Sequence, residues 1–125
     1  MLFRSKQRKV AVVDDDLAML AGLQNLLDAH GVTTEVFASA EAFLDFYSAT
    51  TDIDCLLLDL HLGGMSGIDL RRQLKTSGCT VPVIFMTALD DDVMRRQALE
   101  EGCIAYLRKP FPSRLLFEAI EKAAG

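Results

Sequence analysis

The amino-acid sequence predicts an α/β fold built on a parallel sheet, and three observations support this. Strand-like and helix-like segments alternate five times along the 125 residues. Continuous apolar runs at residues 56–58 and 83–86 are typical of strands that helices cover on both faces. A barrel of eight such units would need about twice the length. We therefore expect an open three-layer sandwich, with five parallel strands in the flavodoxin-like order 2-1-3-4-5.

The first three strand–helix units each contain a residue suited to begin a helix. Their predicted strands are residues 9–13, 33–38 and 53–59. Asp16 and Ser39 are expected to cap the first two helices. The first helix has leucines at helical spacing and ends at Gly31, and the second extends to about residue 48. Ser66 and Asp69 open the third helix as a variant of the capping box.

The last two units are shorter. Their predicted elements are strands at residues 83–87 and 104–108 and helices at residues 90–101 and 113–123. Pro82 stands at the entry of the fourth strand, where a missing N–H group is tolerated. Gly102 closes the fourth helix, and the proline-containing segment 109–112 ends the fifth strand.

Composition indicates one globular domain. Half of the residues are hydrophobic and 25% are charged, which is too apolar for a disordered chain. The net charge of −5 argues against direct nucleic-acid binding, which needs a basic patch. Four of the 13 basic residues lie among the first nine positions. Residues 1–8 are therefore predicted to form a basic N-terminal tail, and residues 9–125 the domain.

Cysteine usage and hydropathy indicate a cytoplasmic location. The three cysteines, Cys55, Cys79 and Cys103, are odd in number and widely spaced, which favours reduced thiols over a disulfide framework or a zinc site. No segment has the length and composition of a signal peptide or of a membrane span. We therefore expect a cytoplasmic protein without membrane contact.

Polar residues stand at the ends of four predicted strands. Asp14 and Asp15 follow the first strand, Asp59 ends the third, Thr87 ends the fourth and Lys109 follows the fifth. Each has an ordinary explanation alone, such as negative charge at a helix start. Together at one edge, however, the carboxylates would repel one another unless they were protonated or bridged by a cation. Oxygen ligands of this kind suit Mg²⁺, which can share a phosphate, and the hydroxyl and the ammonium can bind an anion.

Four segments carry a resemblance to a known family. They are VVDDD at 12–16, LD at 58–59 with GMSG at 64–67, MTA at 86–88, and YLRKPF at 106–111. In this order and spacing, the chain resembles the CheY-like receiver domain of a bacterial two-component response regulator over essentially its full length.

The resemblance implies a phosphorylation site. Asp59 would be the phosphoacceptor, taking a phosphoryl group from the phosphohistidine of a sensor histidine kinase or phosphotransfer protein, or from a small acyl phosphate. Mg²⁺, or Mn²⁺, would be held by Asp14, Asp15, Asp59 and the backbone carbonyl of His61. Lys109 would neutralise charge on the phosphoryl group. The domain would be a signalling module that catalyses its own phosphorylation and dephosphorylation, not an enzyme acting on other substrates.

The resemblance also implies a switch. Thr87 would bind a phosphoryl oxygen, Ala88 would keep the approach open, and a cis peptide before Pro110 would aim the lysine. Movement of Thr87 would couple to Tyr106 and change the face made by the fourth helix, fifth strand and fifth helix. That face would signal to an output domain beyond residue 125 or to a partner, or form a homodimer.

Two departures and two alternatives accompany this interpretation. Gly63 stands where many members of the family have proline, so the loop after Asp59 is expected to be more mobile. His61 and Leu89 occupy positions that tune phosphoryl lifetime in the family, and we expect an exposed His61 side chain without a catalytic role. The alternatives are a receiver-fold interaction module without phosphorylation and a haloacid-dehalogenase-type phosphatase. The second is disfavoured because its additional acidic residue would stand at His61.

Overall fold

The computed structural model describes residues 7–48, 51–89 and 91–124 and contains an alternating series of strands and helices across them. The strands are β1 Lys9–Val13, β2 Thr33–Phe37, β3 Cys55–Asp59, β4 Val83–Thr87 and β5 Ala105–Arg108. The helices are α1 Leu17–Ala29, α2 Ala40–Phe46, α3 Gly67–Thr76, α4 Asp92–Glu100 and α5 Ser113–Ala124. The sheet has the order β2-β1-β3-β4-β5, and all neighbouring strands are parallel. The predicted fold class is confirmed.

Two apolar cores cover the two faces of the sheet. Alternate strand residues such as Val13, Leu58 and Phe85 pack on one face with side chains of α2, α3 and α4. The intervening residues, such as Leu57 and Met86, pack on the other face with side chains of α1 and α5. All residues of β3 and β4 are buried, which explains why their sequences are continuously apolar rather than alternating.

The predicted N-terminal capping residues of α1, α2 and α3 are observed. The Asp16 carboxylate accepts hydrogen bonds from two backbone N–H groups at 3.0 and 3.2 Å, and the Ser39 hydroxyl accepts one at 3.0 Å. The Ser66 hydroxyl accepts one from the N–H of Asp69 at 3.1 Å. Gly31 follows α1 with a φ of 78°, the left-handed conformation that commonly ends a helix. Each N-cap of this kind stabilises its helix by about 1 kcal/mol.

Several predicted boundaries are wrong by one or two residues. Strand β3 begins at Cys55 rather than at residue 53. The N–H of Asp54 still donates to the carbonyl of Lys9, but the N–H of Lys9 donates to the Asp54 carboxylate, both at 2.8 Å, so a side chain replaces one backbone acceptor there. Helix α2 ends at residue 46 rather than 48, because Tyr47 has an extended backbone (φ −74°, ψ 135°). Strands β1 and β4 have the predicted limits, whereas the start of β5 and the ends of β2, α4 and α5 differ from the prediction by one residue.

Two predictions fall partly outside the described residues. The start of the fourth helix was predicted at Asp90, which lies outside them; the described helix begins at Asp92, with Asp91 as its N-cap. Residues 1–6 of the predicted tail also lie outside, so the boundary between tail and domain stays a prediction. In the described segments, every helix is too short or too polar to cross a membrane.

Replacing Gly67 by alanine is expected to destabilise the protein. The added methyl carbon would lie 2.3 Å from the backbone oxygen of Asp59, so the start of α3 would have to move away from the end of β3. Overpacking of this kind costs about 1–3 kcal/mol, measurable by urea unfolding followed by circular dichroism.

Gly22 in α1 provides the matched control. A methyl group there meets no neighbouring part of the fold within 4 Å, and alanine favours a helix over glycine by about 0.5–1 kcal/mol. Gly22→Ala should therefore leave stability unchanged or raise it. A Gly67→Ala variant as stable as the unmodified chain would show that the close approach to Asp59 is not a real constraint.

Candidate functional site

The carboxyl edge of the sheet collects the polar residues predicted from the strand ends. Backbone pairing continues just past the strands: the N–H of Asp14 donates to Phe37 at 3.1 Å, and the N–H of Lys109 donates to Thr87 at 2.7 Å. Asp59 ends β3 in register with Met86 of β4. Four strands, β1, β3, β4 and β5, therefore bring polar residues to the same edge of the sheet.

Three carboxylates form a cluster at this edge. Asp14, Asp15 and Asp59 each place one carboxylate oxygen within 4.8 Å of the others. Asp14 is fully buried and Asp59 is 5% exposed, whereas Asp15 faces solvent. An all-oxygen set with one open side matches the preference of Mg²⁺ for carboxylates plus water. The residues present therefore fit a divalent cation.

Each of these carboxylates also accepts a hydrogen bond from a backbone N–H group. Asp14 accepts from the N–H of Asp16 at 2.9 Å, and Asp59 accepts from the N–H of His61 at 3.1 Å. Asp15 accepts from the N–H of Gly63 at 3.2 Å. Such bonds fix the orientation of a carboxylate.

Lys109 supplies the positive charge of the site. Its ammonium donates to Oδ2 of Asp14 at 2.6 Å and lies 3.5 Å from Oδ2 of Asp59. The lysine side chain is only 15% exposed. The peptide between Lys109 and Pro110 is cis. The Lys109 ammonium therefore contacts two of the three carboxylates.

Burial and charge shift the pKa values of two site residues. Burial raises the pKa of Asp59, and the neighbouring Asp14 charge raises it further, against the lowering effects of the His61 N–H and of Lys109. Burial alone would lower the pKa of Lys109, but its hydrogen bond to Asp14 and the two carboxylate charges raise it by more. The lysine is therefore an ammonium at neutral pH. Ionisation of Asp59 in this site costs more free energy than ionisation of an exposed aspartate.

Thr87 is fully buried at the end of β4, but its hydroxyl contacts the chain that follows. It donates to the carbonyl of Leu89 at 3.0 Å and accepts from the N–H of Leu89 at 3.1 Å. Beside it, Ala88 lines an apolar groove of about 550 Å³ that also includes Lys109 and residues of α1. The threonine thus lies at the site with its hydroxyl in a local turn.

Two predicted residues occupy other surroundings. Tyr106 lies on β5 beside Phe85, half-buried, with the guanidinium of Arg95 5.9 Å from its ring centre; it is not part of the carboxylate cluster. The prediction of an exposed His61 side chain is wrong, because it is half-buried and its Nε2 atom is enclosed without a hydrogen-bond partner in the described structure.

Two glycines have roles that the sequence reasoning missed. Gly63 was expected to loosen its loop, but its N–H ties the loop to Asp15 across 48 positions of sequence. Gly67 allows α3 to begin directly against the backbone of Asp59. A glycine at the first position of a helix was the available sequence signal for a close approach; the Gly63 contact left no local signal.

Comparisons with known proteins identify the family of this chain. A family model described as the response regulator receiver domain matches residues 10–121. The response regulator protein TodT of Pseudomonas putida is 36% identical over 114 residues, covering 91% of this chain and 50% of TodT. The transcriptional regulatory protein FixJ of Bradyrhizobium diazoefficiens is 33% identical, covering 91% of this chain and 55% of FixJ. The chain spans about half the length of these curated relatives.

A solved structure gives the same result for the fold. The response regulator receiver protein from Burkholderia phymatum superposes with a TM-score of 0.83 at 40% identity, covering 95% of this chain and 96% of that one. Since the family match covers most of the sequence and the observed strand order is the predicted one, this chain belongs to the response regulator receiver domains of two-component systems.

Proposed function

We propose that Asp59 accepts a phosphoryl group and that its phosphorylation switches the signalling state of the domain. The observation that carries this proposal is the placement of a nearly buried Asp59 carboxylate next to two further carboxylates and 3.5 Å from the Lys109 ammonium. A nucleophilic oxygen, a cation-binding cluster and a fixed positive charge are what phosphoryl transfer to a carboxylate requires.

Mg²⁺ is the proposed cofactor, with Mn²⁺ as a substitute. Asp14, Asp15, Asp59 and the backbone carbonyl of His61 would hold it. When bound, the ion supplies Lewis-acid charge stabilisation for the phosphoryl oxygens. It also relieves the repulsion among three carboxylates that Lys109 neutralises only in part.

The transfer itself uses few groups of this chain. A carboxylate oxygen of Asp59 attacks the phosphorus of a phosphohistidine, forming an O–P bond while the N–P bond to the imidazole breaks. The imidazole nitrogen keeps the bonding electron pair. Lys109 stabilises the negative charge of the phosphoryl oxygens by electrostatics rather than by proton transfer. Later attack of water on the acyl phosphate returns free phosphate and Asp59, so the domain resets itself.

Thr87 and Tyr106 are the proposed switch residues. To bind a phosphoryl oxygen, the Thr87 hydroxyl must stop donating to the Leu89 carbonyl, from which it is now 3.0 Å away. The loop between β4 and α4 would lose that contact. We expect the movement of Thr87 and its loop to change the surroundings of the Tyr106 side chain. Phosphorylation then shifts the equilibrium between two forms of the α4–β5–α5 face. The size of the shift depends on how much more phosphorylation stabilises one form than the other.

The proposed partners follow from this role. A sensor histidine kinase or phosphotransfer protein would dock beside Lys109, where the groove lined by Ala88, Pro110 and Phe111 continues from the site. An output domain is proposed beyond residue 125, because the relatives are about twice as long, and one of them, FixJ, is a transcriptional regulatory protein. The exposed apolar side chains of Val93 and Leu99 on α4 support a homodimer through the α4–β5–α5 face.

The three free cysteines support a cytoplasmic location.

Incubation with Mg²⁺ and acetyl phosphate is expected to add one labile phosphoryl group. Intact-mass spectrometry should detect the adduct in the unmodified chain and in Asp45→Asn, an exposed acidic position on α2 that serves as the matched control. Asp59→Asn should give no adduct, because the nucleophilic oxygen is replaced by an amide. Omitting the divalent ion should reduce the yield strongly.

An unchanged mass of the folded, unmodified chain would refute the phosphoacceptor role. That result would favour the alternative of an interaction module without phosphorylation. An adduct that survives in Asp59→Asn would place the acceptor elsewhere.

Asp59→Asn is also expected to stabilise the metal-free protein at neutral pH. Two unit charges about 4 Å apart repel by about 1 kcal/mol even in water, and the substitution removes one of three clustered carboxylates. Burial raises the pKa of Asp59, so the contribution of Asp59 to stability is fully present below the ordinary carboxyl pKa and is lost as the pH rises through the raised value.

Urea unfolding in the presence of a chelator measures this effect. The variant should be more stable than the unmodified chain at neutral pH, and the two should converge in acid, where the aspartate is protonated in both states. Mg²⁺ should stabilise the unmodified chain more than the variant. A stability difference independent of pH would argue against the electrostatic cause.

A further inference from the structure

The three carboxylates of the site differ in where their backbone donors come from. Asp14 and Asp59 each accept from the residue two positions later in the same loop, at 2.9 and 3.1 Å. Asp15 accepts at 3.2 Å from Gly63, which belongs to the loop after β3 and lies 48 positions away. The orientation of Asp15 therefore depends on a second loop.

Asp15 needs such a contact more than the other two. Asp14 is fully buried and Asp59 is 5% exposed, so packing already restricts their side chains. Asp15 is exposed, and packing restricts an exposed carboxylate less. A hydrogen bond to one oxygen, Oδ2, leaves Oδ1 to serve as a ligand, which is how outer contacts orient metal-binding groups.

We propose that the backbone N–H of Gly63 positions Asp15 for the divalent cation of this site. This inference rests on the proposed function, since it presupposes that the three carboxylates bind Mg²⁺. Gly63 is then a positioning residue that acts through Asp15. A proline at this position, as in many sequences that this chain resembles, has no N–H group and cannot make the contact.

The backbone at Gly63 does not itself require glycine. Its φ lies outside the left-handed region, in contrast to the next residue, Gly64, with a φ of 79°. A methyl group at Gly63 would lie 3.8 Å from Oδ2 of Asp15, an ordinary contact distance. Alanine should therefore preserve the hydrogen bond, whereas proline removes the donor and also fixes φ, an effect that the second measurement below avoids.

Titration of the 125-residue chain with MgCl₂, followed by amide chemical shifts in NMR spectra, tests the proposal. Gly63→Ala should bind Mg²⁺ as the unmodified chain does. Gly63→Pro should bind about two- to tenfold more weakly, the range expected for the loss of one hydrogen bond. Urea unfolding without metal checks that both variants are folded at the titration temperature.

The outcomes separate this inference from the proposed function. Equal affinity of the proline variant, or equal weakening in the alanine variant, overturns the positioning role while Mg²⁺ binding stands. Absence of Mg²⁺-dependent shifts in the unmodified chain overturns the metal site of the proposed function, and this inference with it.

A second measurement depends neither on proline nor on metal. Solvent exchange of the Gly63 amide, measured by NMR in metal-free protein, should become about two- to tenfold faster in Asp15→Ala, because the acceptor is lost. The exposed control Asp45→Ala should leave it unchanged. An exchange rate that is the same in Asp15→Ala and in the unmodified chain overturns the proposed contact.

Discussion

A buried ion pair between Lys109 and Asp14 offsets part of the repulsion among the carboxylates at this edge of the sheet. The ammonium lies 2.6 Å from a fully buried carboxylate and 3.5 Å from Asp59, whose strand lies between those of the two partners. Removing one partner of such a pair typically costs about 3–5 kcal/mol, because the remaining charge stays buried and uncompensated. The strand order sets these distances, since Lys109, which follows β5, must reach across β4 to contact Asp59 and across β4 and β3 to contact Asp14.

Main-chain atoms also hold the carboxylates of this edge in place. Three N–H groups hold one oxygen of each carboxylate, and the direct approach of Gly67 to the Asp59 carbonyl fixes where α3 begins. These contacts keep the carboxylates close together even though charge opposes it. In the proposed function, these contacts would hold the carboxylates in place for a divalent cation, and ligands held in place reduce the reorganisation that binding requires.

The sequence predicts those features that depend on local patterns. The continuous burial of β3 and β4, the caps at Asp16 and Ser39, and the polar strand ends each follow from residue type and spacing. Contacts between side chains and loops that are distant in the sequence do not follow from local patterns. The bond from Gly63 to Asp15 and the pairing of Arg72 with Glu101 at 2.7 Å join segments whose relative position exists only in the folded chain. The enclosure of His61 is of the same kind.

The surroundings of α4 show how a small change at Thr87 could act over a distance. Lys75 and Arg72 of α3 contact Glu101, and Arg71 donates to the carbonyl of Gly102 at 3.2 Å, so α3 holds the carboxyl end of α4. Individually such surface contacts contribute at most about 1 kcal/mol, but several together anchor that end. The amino end follows the Leu89 turn, which the Thr87 hydroxyl holds by two hydrogen bonds. Exchange of the Leu89 carbonyl for a phosphoryl oxygen replaces a neutral hydrogen bond with a charge-assisted one, roughly twice as strong. In the proposed switch, that difference would act on the amino end of α4, the end that the contacts from α3 do not hold.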